Sequence, residues 1–252
     1  MTRTVAIVQG RMGSTRLPGK VLAAVEGRPL LEHLLERVRR AKVDEVVVAT
    51  TSLAEDDLLA DWVSASGLAA TYRGSATDVL SRFYHAASVY EADVIVRVTA
   101  DDPLKDPQII DHALALLHDG HSFDYCSNTL QPSYPEGLDI EVFTSAALSA
   151  AHFQAKLPSE REHVTPYIWK HPEIFRLHNF SHVVDLSAWR WTVDKPADLE
   201  FIRAVFSGLR HAPAMSYRDV IAFLELHPEI QSINQGTARN EGYVRSIAQE
   251  SS

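Results

Sequence analysis

Thr4-Val5-Ala6-Ile7-Val8-Gln9, running straight into Gly10-Arg11-Met12-Gly13-Ser14-Thr15-Arg16-Leu17-Pro18-Gly19-Lys20, sets the fold of this chain. A short run rich in β-branched residues, with no polar alternation, predicts a strand buried on both faces, as in parallel sheets. The pattern recurs downstream. Pro29–Ala41 repeats Leu30, Leu31, Leu34, Leu35 and Val38 at helical spacing, and Glu45–Thr50 is another valine-rich run. Asp56–Ser66 reads as a helix closed by Gly67, Ala69–Tyr72 as a weaker strand, Asp78–Tyr90 as a helix and Asp93–Thr99 as a strand. This alternation predicts an α/β fold, a three-layer α/β/α sandwich on a mostly parallel, Rossmann-like sheet with right-handed crossovers. Ligands of such sheets bind beyond the carboxyl ends of the strands. The segments to watch are therefore Gly10–Lys20, Thr51–Ser52, Arg73–Asp78 and Ala100–Asp106.

The remainder is less regular. Pro107–Leu117 reads as a helix, and Asp124–Asn128 and Leu138–Phe143 as strands around a turn-rich loop, Leu130–Gly137. Thr144–Leu157 and Glu160–Lys170 read as helices, Phe175–Asn179 and Arg190–Val193 as strands, and Pro196–Phe206 and Tyr217–Leu226 as amphipathic helices. One domain over residues 1–233 is expected, with 130–170 as an inserted lobe or arm. A polar, loosely held tail over 234–252 would follow.

Composition narrows the function. With 46% hydrophobic residues among 252, the chain can bury a sizeable core. Its 24 basic side chains against 33 acidic give a net charge of -9. That argues against a nucleic-acid binder, which needs a basic surface, but leaves room for a local basic pocket. A single cysteine excludes an internal disulfide and a Cys-only zinc site, and a cytoplasmic location is expected. The N-terminus lacks a signal-peptide apolar region, and no run reaches the ~18 apolar residues of a membrane helix.

The first loop carries the strongest chemical signal. Three glycines expose backbone N–H groups, Arg11, Arg16 and Lys20 supply charge, and Ser14 and Thr15 add hydroxyls, a set suited to a polyphosphate. It is no P-loop: five residues separate Gly13 from Gly19, and Val21 follows Lys20 where Ser or Thr is needed. The dinucleotide G-x-G-x-x-G is also absent. Asp101 or Asp102, just after a strand, could hold magnesium together with substrate phosphates. Asp106 before Pro107 has instead the pattern of a helix cap. Asp194 follows another strand-like run; serving the next helix is the competing reading for it and for Asp198. His178 and His182 lack a third zinc ligand. Cys126 reads as a core residue, and Ser14 fails the esterase pattern G-x-S-x-G.

Residues 8–22, Val-Gln-Gly-Arg-Met-Gly-Ser-Thr-Arg-Leu-Pro-Gly-Lys-Val-Leu, resemble the signature of the cytidylyltransferase superfamily that includes the CMP-Kdo and CMP-sialic acid synthetases. The SpsF-like branch, named for spore coat polysaccharide biosynthesis, is similar over nearly the whole chain. Arg73-Gly74-Ser75 with Asp78-Val79-Leu80, Tyr134-Pro135, Gly137-Leu138-Asp139, Glu160 to Ile168, and Arg190-Trp191-Thr192-Val193-Asp194 look like its motifs. The similarity fades after about Asn234.

The resemblance implies a metal-dependent transferase that moves CMP from CTP to an acidic sugar, small hydroxy acid or phosphonate. It implies CTP phosphates on Gly10, Arg11, Met12, Gly13, Ser14, Arg16 and Lys20, and base and ribose near Arg73 and Asp78. Magnesium would sit on Asp101 and Asp194. Asp102, Tyr134, Glu136, Asp139, Glu141, Arg161 and His163 would border the acceptor. A homodimer is expected on the same ground. The chain departs from the family in having Gly10 where Ala is usual, which would loosen the loop. It has Ala100-Asp101-Asp102 in place of Gly-Asp-Cys, which leaves the choice of metal ligand open. A nucleotide-sugar glycosyltransferase, whose usual Asp-x-Asp is absent, and a non-catalytic nucleotide-binding protein are the alternatives.

Overall fold

The computed structural model describes residues 2–118, 123–212 and 214–250. The strands are β1 (Thr4–Gln9), β2 (Ala24–Val25), β3 (Arg28–Pro29), β4 (Glu45–Thr51), β5 (Ala70–Gly74), β6 (Val94–Thr99), β7 (Tyr125–Ser127), β8 (Glu141–Thr144) and β9 (Leu177–Asn179). β2 and β3 form a small hairpin, and the other seven make one sheet in the order β5-β4-β1-β6-β8-β7-β9. β4 and β6 flank β1 in parallel, β5 extends β4, and β9 runs parallel to β7. β8 alone is antiparallel to both its neighbours.

The central strands are buried on both faces, as their near-continuous apolar runs require. Ala6, Val8, Val48 and Val96 join one core with Leu31, Leu34 and Leu35 of α1 (Leu30–Val38) and Val63 of α2 (Asp57–Ser66). The intervening Val5, Ile7, Val47 and Ile95 join the other core, with Leu80 and Phe83 of α3 (Val79–Val89). Alternate side chains of one strand thus feed opposite layers. Helix α3 starts where Asp78 accepts a hydrogen bond from the Ser81 N–H at 2.9 Å. The remaining helices are α4 (Pro107–His118), α5 (Ser145–Gln154), α6 (Pro158–His163), α7 (Pro166–Lys170), α8 (Pro196–Gly208), α9 (Tyr217–Leu226), α10 (Pro228–Gln231) and α11 (Glu241–Glu250). Among the described residues, no helix is long and apolar enough to cross a membrane.

Three expectations are corrected. Glu160–Lys170 is two short helices, α6 and α7, because Val164 takes a φ of +74° and Pro166 cannot continue the helix. Arg190–Val193 is no regular strand. Its backbone makes one isolated bridge, Arg190 with Glu136, and the Val193 N–H donates to the Asp101 carbonyl at 2.9 Å. The C-terminal segment is not loose over 241–250: it forms α11, which packs on α6 and reaches the site described next.

Candidate active site

The loop after β1 is shaped by its own backbone. The Met12 N–H donates to Asp56 Oδ1 at 2.6 Å, and the Met12 carbonyl accepts from the Ser14 and Gly19 N–H groups at 2.9 and 3.0 Å. Gly19 sits at φ +69°, a left-handed turn that costs glycine little. The turn sends Lys20 inward, where it is buried. Its Nζ donates to Asp101 Oδ2 at 2.5 Å, Asp194 Oδ1 at 2.7 Å and the Val193 carbonyl at 2.7 Å. One ammonium therefore gathers the ends of β1 and β6 and the segment before α8. Burial opposes the Lys20 charge, but Asp101 and Asp194 outweigh it and raise its pKa.

Asp194 is the most heavily paired carboxylate. Arg16 meets its Oδ1 at 2.7 Å and Arg190 its Oδ2 at 3.0 Å. Burial works against its charge, yet Lys20 and Arg16 hold its pKa well below the ordinary carboxylate range. Asp198 fixes the surrounding turn, accepting from the Asp194 and Lys195 N–H groups, both at 2.9 Å, and pairing with Arg190 at 3.0 Å. It serves the start of α8, as its position suggested.

Two cavities meet at Asp101 and Asp194. The larger, about 790 Å³, lies beyond the carboxyl end of β1 and is lined by Gly10, Arg11, Ser14, Arg16, Lys20 and Asp78, with Arg82 and Arg161 behind. The smaller, about 450 Å³, is lined by Arg97, Asp102, Glu136, Asp139, Glu141 and Trp169. Gln9, Arg16, Thr99 and His163 also border both.

Not every expected residue reaches them. Met12 and Gly13 shape the loop without lining either cavity, and Arg73 turns away to the Thr51 and Leu53 carbonyls and to Asp57. Tyr134 lies in the core against Phe180, His182 and Tyr217, so it lines neither cavity. Arg161 borders the larger cavity rather than the smaller, with Nη2 on Asp78 at 2.6 Å. Asp102 is buried: its Oδ2 accepts from Lys105 at 2.8 Å and Thr99 at 2.5 Å. It is thus Asp101, not Asp102, that shares a cation with Asp194. Asp106 accepts from the Gln108 N–H at 2.8 Å, a capping role. Cys126 is buried and its thiol pushed up to about 12, which fits a core residue.

In the smaller cavity Glu136 pairs with Arg190 at 2.6 Å, and Glu141 with Arg97. Burial raises Glu141, but Arg97 and the Thr165 and Tyr125 hydroxyls outweigh it and lower its pKa. Asp139 pairs with Arg239, yet burial raises it to about 6. Burial and Arg97 lower the pKa of His163, whose Nε2 lies 3.0 Å from Ser246 Oγ. Sequence reasoning missed Arg97, Arg190, Arg239 and the α11 residues. Arg97 was discoverable as a lone charge inside the β6 run.

Gly10 and Ala100 are complementary. A Cβ on Gly10 would meet Ala100 Cβ at 2.8 Å. The methyl absent from one strand end is present on the other, so the space is filled and the loop is not loosened at this point.

A mostly parallel sheet with a cationic loop at its carboxyl edge and facing carboxylates suits a nucleotidyltransferase, and the family match gives that class. The cytidylyltransferase family model matches residues 5–219, and the chain belongs to that family. The spore coat polysaccharide biosynthesis protein SpsF of Bacillus subtilis is 33% identical, over 91% of this chain and 97% of that protein. The structure of a cytidylyltransferase from Leptospira borgpetersenii is 34% identical, with a TM-score of 0.87 over 95% of this chain and 100% of that one. A CMP-2-keto-3-deoxy-manno-octonic acid synthetase complexed with CTP shares the fold, at 21% identity and a TM-score of 0.65, over 82% of this chain and 99% of that one.

Proposed function

We propose that this nucleotidyltransferase moves CMP from CTP, in a magnesium-dependent reaction, onto an acidic sugar, small hydroxy acid or phosphonate. The observation carrying this reading is the convergence of Asp101 and Asp194 on one ammonium where a basic cavity meets a second one. CTP is assigned from the family and from the CTP-bound neighbour.

Two hard oxygen donors fit magnesium, which takes one or two carboxylates and completes its shell with phosphate and water. No cluster of three or more His, Cys, Asp or Glu suited to a metal occurs among the described residues, so phosphate and water oxygens would complete the set. Asp101 and Asp194 would hold it, and when bound it would neutralise charge at the α-phosphate and lower the acceptor hydroxyl's pKa. The protein's own part is positioning and electrostatics. Arg11, Ser14, Arg16 and Lys20 grip the triphosphate, and the acceptor in the smaller cavity meets the α-phosphorus at the seam. An acceptor oxygen bonds to that phosphorus, the bond from the α-phosphorus to the oxygen shared with the β-phosphate breaks, the acceptor hydroxyl's proton passes to solvent, and Arg16 and Lys20 stabilise the departing pyrophosphate.

The test is pyrophosphate release with each nucleoside triphosphate, magnesium and a panel of acidic sugars, hydroxy acids and phosphonates. CTP-specific release that requires one acceptor is expected. Asp101→Asn and Lys20→Ala should each abolish it in a folded protein, and wild-type turnover in either would refute the role given to that residue.

A further inference from the structure

Helix α11 is docked in an unusual way. Helices ordinarily settle onto a protein through an apolar stripe. Helix α11 buries no residue, and Val244 is 61% exposed. Its inward stripe, at i, i+3, i+4 and i+7, is Gly242, Arg245, Ser246 and Gln249, and all four line the larger cavity. Polar contacts and one aromatic ring anchor it, Tyr243 lying 5.1 Å from the His163 ring and 5.7 Å from the Trp169 ring. Glu241 meets Lys195 at 3.2 Å and Arg16 at 3.6 Å, Ser246 Oγ donates to Glu162 at 2.8 Å, and Glu250 accepts from Ser159 Oγ at 2.9 Å.

The cavity under this helix is locally basic in an acidic chain. Carboxylates hold three of its cations, Arg16, Lys20 and Arg161. Arg11, Lys156 and Arg245 also line it and have no ion pair or hydrogen bond among the described residues. Arg82, itself buried, keeps its Nε without a partner. Unpaired guanidinium groups around a cavity suit an anion with several oxygens. Arg245 lies one helical turn beyond Glu241, the residue that touches Arg16.

We propose that α11 is a nucleotide-binding element and that Arg245 contacts the polyphosphate of the bound nucleoside triphosphate. The inference rests on the CTP reading above and adds to it a segment outside the region matched by the family model. A structural helix would need Glu241, Tyr243, Ser246 and Glu250, but it would have no use for an arginine that lines the cavity without an ion pair among the described residues.

The test is calorimetric titration of wild type, Arg245→Ala and Arg245→Lys with magnesium-CTP and, separately, with CMP. Arg245 is exposed and has no ion pair or hydrogen bond among the described residues, so the variants should keep the wild-type melting temperature. Arg245→Ala should weaken CTP by about tenfold, the loss of one charge-assisted contact, and CMP by less than about twofold. Arg245→Lys should fall between Arg245→Ala and wild type. CTP affinity unchanged in Arg245→Ala, or an equal loss for CMP and CTP, overturns the assignment. A wild-type chain that binds no CTP overturns the parent reading, and this inference with it.

Discussion

Replacing Lys20 with methionine removes one charge while keeping the length of the buried stem. The Lys20 side chain is 10% exposed, and those of Asp101 and Asp194 are 23% and 19% exposed. The consequences for the two carboxylates differ. Asp194 keeps Arg16 at 2.7 Å and Arg190 at 3.0 Å. Asp101 loses its one cation partner among the described residues. A buried group stripped of its partner costs about 1–3 kcal/mol, and partial exposure of Asp101 keeps the cost within that range rather than at the larger value for a dry ion pair. In a chain of this size each kcal/mol lowers the melting temperature by about 2–4 °C, so a loss of about 2–12 °C is expected. Millimolar magnesium should then raise the variant more than wild type, because the seat between the carboxylates is no longer filled by an ammonium. Thermal melts of both proteins, in EDTA and in magnesium chloride, read the two effects together. If Lys20→Met melts with wild type and responds to magnesium no more strongly, the ammonium does not hold this pair as described.

Asp102→Asn should destabilise the fold by about 3–5 kcal/mol in urea, because Lys105 is left buried without its carboxylate. Turnover per folded molecule should stay near wild type, and a folded but inactive variant would place Asp102 in the chemistry instead. Asp139, raised to about 6 by burial, binds its proton more tightly folded than unfolded. Its contribution to stability is therefore full below the ordinary carboxylate value near 4 and falls as pH rises through 6. Asp139→Asn should remove that slope from the pH profile of unfolding, and an unchanged slope would refute the raised pKa. Arg239→Ala should move the Asp139 titration upward, as read by carboxyl-carbon NMR.

The strands β1, β4 and β6 were legible because burial on both faces leaves little room for polar residues, whereas β5, a half-exposed edge strand, gave a weaker run. The loop after β1 was legible as a cationic turn beside the sheet's carboxyl edge because glycine, arginine and lysine have few other reasons to alternate beyond a buried strand. Arg190–Val193 misled because its apolar positions alternate while its backbone bonds to Glu136 and Asp101 rather than to a ladder. Pro166 was a visible signal for the break between α6 and α7, but the positive φ of Val164 depends on tertiary context. Asp101 could not be told from Asp102 in the sequence, since adjacent carboxylates differ only in which cation each meets. Tyr134 belongs to an aromatic cluster assembled from distant segments, which spacing does not reveal. Helix α11 escaped because its anchors are single polar contacts and one lone aromatic, Tyr243, and these leave no periodic apolar trace.

The exchange of a methyl group between Gly10 and Ala100 has an evolutionary consequence. A chain with Ala at position 10 and Gly at position 100 would fill the same space from the other strand end, and neither position can be exchanged alone at the same cost. Gly10→Ala by itself crowds two methyls into 2.8 Å, and Ala100→Gly by itself leaves a hole. The paired reversion restores the volume. A lineage crossing between the two states passes most easily through the double glycine, where the floor beneath the phosphate loop is underfilled but unstrained. The two sites should therefore change together among descendants.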